Sequence, residues 1–231
     1  RWHGDGVVAV TGGLCDLVLT DADGHTREVT HGAPFAVADG DELRLGTVRR
    51  GLRVVIGIRG GVTAHPALGS IATDTLAGLG PAPLQTGDRV ALGSPSDAPS
   101  AVDPDVLPRD LPAAGDLVEL EITLGPRDDW FTEAALDTLL RQEWDVTPRS
   151  DRVGVRLHGE VPLERSTGGE LPSEGAVTGA IQVPADGQPV LFLPDHPLTG
   201  GYPIIGALTD SSVDLAAQLP PGSRIRFRIA H

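Results

Sequence analysis

Residues 171–206 read LPSEGAVTGAIQVPADGQPVLFLPDHPLTGGYPIIG. Glycines and prolines cut this stretch into short β-type runs at 180–183 (AIQV), 189–193 (PVLFL) and 202–205 (YPII), with polar residues at the breaks. Such punctuation predicts strands joined by tight turns. In a scaffold of that kind rigid strands hold the loops, and the loops carry function.

The same pattern extends outward. Apolar runs at 6–10 and 14–19 flank Thr11-Gly12-Gly13, a strand–turn–strand reading. Asp21-Ala22-Asp23-Gly24 is a turn in which Gly takes a positive φ. Further strands are expected at 28–30, 35–37, 42–45 and, rich in β-branched residues, 52–59. A Gly-Asp-x-Leu/Val-x-Leu-Gly pattern occurs at 40–46 and again at 87–93. Residues 94–114, rich in Pro, Ser, Ala and Asp without apolar periodicity, read as a linker. They divide the chain into a first β-domain, 1–93, and a second, 115–231. In the second half, 116–124 alternates as a strand and 153–157 is another. Between them lies the clearest helix. Thr132 is its N-cap, Glu133 sits at the positive end of its dipole, and Leu136, Leu139 and Leu140 form its stripe. Trp130 and Phe131 would staple its start, and the run is expected to end near Trp144, with Pro148 barring continuation. The tail reads as a short helix or turn at 214–219 and a last strand at 223–229.

Composition narrows the function classes. With 30 Gly, 20 Pro and 3% aromatic residues, the 231-residue chain favours a mainly β protein over a helical bundle. No apolar run is long enough to cross a bilayer as a helix. A formal charge of −14 argues against nucleic acid and anionic membranes as partners and for a solvated acidic surface. The single Cys15, inside an apolar run, excludes an intrachain disulfide and reads as a buried thiol; its solitude fits a reducing, cytoplasmic setting. All 18 basic residues are Arg. Without Lys there is no Gly-Lys-Ser/Thr phosphate loop, no Schiff base, no Ser-x-x-Lys hydrolase and no Ser-Ser-Lys amidase. The seven His are scattered with no ligand spacing, so no metal site is expected, and neither a Gly-x-Ser-x-Gly elbow nor a dinucleotide loop is present.

The candidate site residues cluster in and just before the opening stretch. Arg152, in a loop, offers a forked donor for carboxylate or phosphate, or a plain surface ion pair. Glu174 is a candidate general base, or its carboxylate caps a local turn. Gln182 lies inside an apolar strand, where a buried amide needs partners and either supports the fold or faces a ligand. Asp195 closes the run before it, and Thr199, Gly200, Gly201 and Tyr202 form an anion-binding nest or a tight turn.

A longer pattern joins these residues. Gly57-Ile58-Arg59-Gly60-Gly61-Val62, Leu68-Gly69-Ser70-x-x-Thr73-Asp74 and Gly78-Leu79-Gly80 occur in order, followed by Gly125-Pro126-Arg127-x-Asp129-x-Phe131, then 150–157 (SDRVGVRL) and all of 171–206. The series resembles the KipA family, whose members are also called biotin-dependent carboxyltransferase subunits, allophanate hydrolase subunit 2, or C subunits of 5-oxoprolinase (PxpC). It covers nearly all 231 residues. The resemblance implies two cyclophilin-like, β-barrel-type halves with one or two short helices. Family members also carry N-terminal Gln-Asp-x-Gly-Arg-x-Gly and Ser-Gly-Ala-Met-Asp-like motifs. This sequence has neither, so the N-terminal part of the first half is expected to be missing.

The family's function implies a hetero-oligomeric, ATP-dependent 5-oxoprolinase that opens 5-oxo-L-proline to L-glutamate. Its partners would be a KipI-like protein (the B subunit) and a LamB-like protein (the A subunit), with ATP, accompanied by magnesium, as co-substrate. Arg152 and Glu174 are then the expected catalytic residues, and Gln182, Asp195, Thr199, Gly200 and Tyr202 the expected substrate-binding ones. Two alternatives follow from the same resemblance. One is a carboxyltransferase subunit of a biotin-dependent urea or amide carboxylase; the other is a non-catalytic regulator that binds a KipI-like protein. The allophanate hydrolase label fits poorly, because amidase-signature hydrolysis uses a Lys-dependent triad and this chain has no Lys.

Overall fold

A computed structural model of the chain describes residues 1–94, 110–169 and 171–230. Of the expected linker at 94–114, residues 95–109 lie outside the described residues. The chain divides into two compact units, Arg1–Val48 with Val54–Arg109, and Arg49–Arg53 with Asp110–His231. The division falls inside one strand.

In the first unit, β1 (Gly6–Leu14) lies between β4 (Phe35–Val37) and β6 (Arg50–Ile58), and β2 (Leu17–Thr20) lies between β3 (Thr26–Glu28) and β5 (Glu42–Leu45). β7 (Val62–Thr63) pairs with β8 (Ala91–Leu92). Alternate residues of β1 and β2 turn inward, so Val8, Val10, Cys15, Leu17, Leu19 and Val37 form one buried cluster. Cys15 is buried, as its apolar run predicts. The Asp21–Gly24 turn forms with Gly24 at φ 88°. The repeated pattern behaves differently at its two sites: 40–46 yields the four-residue β5, whereas 87–93 yields only the two-residue β8.

The second unit is a closed barrel. Its strands are β9 (Leu117–Leu124), β10 (Trp144–Val146), β11 (Gly154–His158), β13 (Ala180–Gln182), β14 (Val190–Phe192), β16 (Ile204–Leu208) and β17 (Arg224–Ile229), in the order β10-β11-β14-β13-β16-β9-β17. All neighbours are antiparallel except β17 and β9, and β10 pairs with β17 to close the ring. Closure leaves no open sheet edge in the barrel. Leu120, Ile122, Ile181, Leu191, Ile205, Ile225 and Phe227 point inside and are at most 2% exposed. Each such side chain contributes roughly 1.5–3 kcal/mol on burial. The mainly β expectation therefore holds, with two α-helices in the whole described chain.

Helix α1 (Glu133–Arg141) packs Ala135 and Leu139 against this core. Thr132 is its N-cap, its hydroxyl accepting from the Ala135 N–H at 3.1 Å. The helix stops at Arg141, short of the expected Trp144. Trp144 is instead the first residue of β10, fully buried, with its indole N–H donating to the Leu139 carbonyl at 3.1 Å. Turning the chain there buries the largest side chain of the region, which outweighs another turn of helix. Helix α2 (Asp210–Ala216) begins earlier than the expected 214. Ser212 is buried inside it, but its hydroxyl accepts from the Glu121 N–H at 2.8 Å, so a residue that reads as loop-forming is satisfied within a helix. No helix among the described residues is long and apolar enough to cross a membrane.

Candidate functional site

Strands β13, β14 and β16 have two working faces. Ile181, Leu191 and Ile205 point into the barrel, while Ala180, Val190, Phe192 and Ile204 form a separate cluster on the opposite face. Gln182 shares that opposite face by strand alternation. Over it lies a two-stranded ribbon of β12 (Glu174–Gly175) and β15 (Thr199–Gly200), in register Glu174↔Gly200 and Gly175↔Thr199. Residues 171–206 thus supply both the platform and its cover.

Gln182 is 7% exposed, and its amide N–H donates to the Tyr202 carbonyl at 3.3 Å. A register shift between Ile181 and Gln182 sets Gln182 opposite Ile204. Gly200 closes over the side chain. A Cβ at Gly200 would overlap the Gln182 amide nitrogen and lie 3.5 Å from its Cδ, so the absence of a side chain there is what admits the amide. Glu174, on the paired strand, is gripped by Arg127, which lies in the Gly-Pro-Arg motif but is not among the expected site residues. The Arg127 Nε donates to Glu174 Oε2 at 3.0 Å, and its Nη2 donates to Oε1. Arg127 is positioned by its backbone N–H, which donates to Ile204 O at 2.9 Å at the entry to the 3-10 turn Asp128–Trp130. The Arg127 hydrogen bonds hold the Glu174 carboxyl below its ordinary pKa, and the same bonds raise that of Arg127. Held as a charged acceptor, Glu174 is a weak proton acceptor and a firm tether for the ribbon.

A second cation borders the same place. Arg165 Nη2 donates to the Val183 carbonyl at 2.6 Å, and its guanidinium lies 5.8 Å from the centroid of the Tyr202 ring, which is half exposed. Thr199 and Gly200 are extended and paired. Neither Gly200 nor Gly201 takes a positive φ, so this backbone is a strand running into a bend rather than a curled nest.

The remaining expected residues gather elsewhere. Arg152 Nε meets Asp195 Oδ2 at 3.1 Å. Gln182 pairs with Val190 at the start of β14, whereas Asp195 follows its end at Phe192. A three-residue strand spans roughly 10 Å. The fold therefore brings together Glu174, Gln182, Thr199, Gly200 and Tyr202, and sets Arg152 with Asp195 at the other end of the platform strand. Asp151, beside Arg152, accepts from the Val153 and Gly154 N–H groups at 2.9 and 3.0 Å. Phe192 stacks on His196 there, with centroids 5.5 Å apart. Among the described residues, Asp21, Asp23 and His25 bring metal-type ligand atoms within 4.8 Å of one another, but in an exposed turn of the first unit whose Asp21 carboxylate already accepts from two backbone N–H groups.

Signals that single out Arg127 and Arg165 were thin in the sequence. Arg127 has its partner 47 residues away. Arg165 reads as one of many surface arginines until the chain folds it under Tyr202.

Residues 1–229 match the family model of the carboxyltransferase domain, subdomains A and B. The chain is 33% identical over 232 residues to the C subunit of 5-oxoprolinase from Escherichia coli, covering 96% of this chain and 69% of that protein. It is 32% identical over 248 residues to urea amidolyase of Saccharomyces cerevisiae, covering 98% of this chain but 13% of that much longer protein. The crystal structure of Kluyveromyces lactis urea amidolyase superposes with a TM-score of 0.82 at 28% identity, over 98% of this chain and 14% of that one.

Proposed function

The chain belongs to the carboxyltransferase domain family, spanning its subdomains A and B, and from that premise we propose that it is the C subunit of an ATP-dependent 5-oxoprolinase. In this reading it opens 5-oxo-L-proline to L-glutamate together with a KipI-like protein and a LamB-like protein, the B and A members of the complex. The observation that carries the reading is the nearly buried Gln182 amide, admitted by Gly200, beneath a ribbon whose Glu174 is held by Arg127 and beside Tyr202, whose ring faces Arg165. A primary amide complements a cyclic amide, which offers one N–H and one C=O on the same side. Similarity to the C subunit of a 5-oxoprolinase over 96% of this chain supports the same substrate class.

A lactam carbonyl is a poor electrophile. ATP gives its terminal phosphoryl group to the lactam oxygen and leaves as ADP. Water then adds to the activated carbon, the ring C–N bond breaks as the nitrogen takes up a proton, and hydrolysis of the resulting acyl phosphate releases glutamate and inorganic phosphate. This chain's residues bind and orient. Gln182 aligns the lactam amide, and the Arg127–Glu174 pair fixes the ribbon above it. Tyr202 and Arg165 wall the site with an aromatic face and a cation. Arg152, paired with Asp195, is the anion-facing group of the second locus. Loci separated by roughly a three-residue strand suit two co-substrates rather than the two ends of one small lactam. The test is steady-state kinetics of the reconstituted complex. Gln182→Ala, Arg152→Ala and Glu174→Ala are each expected to lower ATP-dependent glutamate formation by about ten- to a hundredfold, the range of lost charge-assisted or buried polar contacts. Unchanged rates in all three would discard the assignment.

A second reading has its own support. The similarity to urea amidolyase, in both sequence and structure, favours a carboxyltransferase role in which the same amide edge receives a urea-like acceptor and biotin carries the carboxyl group. Carboxylation of urea that depends on a biotinylated carrier, with no response to 5-oxoproline, would select it.

A further inference from the structure

Residues 49–53 belong to the second unit, far in sequence from the rest of it. They are fastened along their length. Gly51 N donates to Pro112 O at 2.6 Å, and Arg50 donates to Leu111 O at 2.7 Å and to Asp116 Oδ2 at 2.9 Å. The Gln218 side chain works as a clamp. Its Oε1 accepts from Leu52 N at 2.8 Å and Arg53 N at 2.9 Å, while its Nε2 donates to Arg53 O at 3.0 Å. So much anchoring aims one side chain.

The Arg53 guanidinium reaches in two directions. One nitrogen donates to the carbonyl of Ala217, the C-cap of α2, and another donates to the carbonyl of Asp151 at 2.7 Å. The first contact satisfies an orphan helix-end carbonyl with a cation, where the helix dipole favours positive charge. The second holds the loop that bears Arg152. We propose that Arg53 is a positioning residue that holds the 151–154 loop and, through it, the Arg152–Asp195 pair.

The charges around it agree. Burial lowers the pKa of Arg53, while Asp151 and Asp195 oppose that shift and Arg152 adds to it, so all four groups share one field. Guanidinium remains protonated despite the burial, and its planar fork spans two carbonyls from separate elements; an ammonium on a flexible stem offers no such fork. The loop's other restraints include Asp151 Oδ1 on Val153 N and Gly154 N, Ser150 Oγ accepting from Arg156 N at 3.0 Å, and, toward the end of β14, Leu193 N donating to Val153 O at 3.0 Å and the Arg152–Asp195 pair. Among the hydrogen bonds described for the 150–154 segment, the one from Arg53 ties it to the distant 49–53 segment. The effect on catalysis rests on the proposed role of Arg152; the effect on the loop does not.

Two arms test this separately. Hydrogen–deuterium exchange on the full chain follows the amides of Val153 and Gly154. Arg53→Gln should speed their exchange at least about tenfold, as expected for loss of a hydrogen bond from a charged donor, with Arg53→Lys intermediate and the amides of Leu191 and Ile205 unchanged. If Arg53→Gln disturbs the barrel as a whole, Arg53→Lys decides the matter alone. Wild-type exchange at both amides in Arg53→Lys and Arg53→Gln overturns the inference. In the reconstituted complex, Arg53→Gln should lower kcat/KM about tenfold in the wild-type background and by less than about twofold in Arg152→Ala, because it acts through Arg152. Equal effects in both backgrounds overturn the link to Arg152. Full activity of Arg152→Ala refutes the role proposed for Arg152, and the exchange arm still judges Arg53.

Discussion

Gly200→Ala should destabilise the second unit through a single named neighbour. A Cβ at Gly200 would overlap the Gln182 amide nitrogen, with Cδ at 3.5 Å and Oε1 at 3.8 Å. Gln182 has little freedom to retreat, being 7% exposed and tied to Tyr202 O at 3.3 Å. Crowding of this kind costs typically about 1–3 kcal/mol, and part of that is the Gln182–Tyr202 bond, worth about 0.5–1.5 kcal/mol. For a chain of this size each kcal/mol lowers Tm by about 2–4 °C, so a fall of about 2–12 °C is expected, matched by a lower urea midpoint at unchanged slope. The cause is checked by a double-mutant cycle. Gln182→Ala removes the group that the new methyl strikes. In that background Gly200→Ala should cost less than about 0.5 kcal/mol. The same penalty in both backgrounds would refute the contact between Gly200 and Gln182.

Two further outcomes follow from the barrel and its ribbon. Ile181→Ala removes a fully buried side chain at the barrel's centre and should cost about 2–5 kcal/mol in urea unfolding; a cost below about 1 kcal/mol would contradict its place in a close-packed core. Glu174 has its carboxyl held below the ordinary 4.5, first by the hydrogen bonds from Arg127. A depressed folded-state pKa gives stabilisation that is present above the unfolded value and lost as pH falls through the folded one. Protection of the amides of β12 and β15 should therefore decline below pH 4.5 in the wild type, and Glu174→Gln should flatten that decline; identical pH profiles would count against the Arg127–Glu174 tether.

Strand-level structure was legible because it depends on near neighbours. The Gly and Pro breaks in 171–206 marked β13, β14 and β16, and the Thr132 cap with its leucine stripe marked α1. Trp144 was misread because a helical stripe is a local signal, whereas its burial under α1 and in β10 is decided by the closed barrel. The site was legible in part for the same reason. Glu174, Gln182, Gly200 and Tyr202 stood out within one dense stretch, and the ribbon and bulge bring them together. Arg152 and Asp195 sit apart because β14 runs between the two loci. Arg127 and Arg53 were hidden because their partners lie 47 and 98 residues away; the Gly-Pro-Arg motif marks Arg127 but not its partner, and Arg53 does not differ locally from other arginines on an acidic chain.

The most direct measurement is product formation by the reconstituted complex. This chain, combined with KipI-like and LamB-like partners, ATP and 5-oxo-L-proline, is expected to release glutamate and inorganic phosphate in equal amounts, with neither formed when the chain is left out. Failure of the full combination to form glutamate, with carboxylation of urea by the same chain in the presence of a biotinylated carrier, would contradict the proposal and select the carboxyltransferase reading.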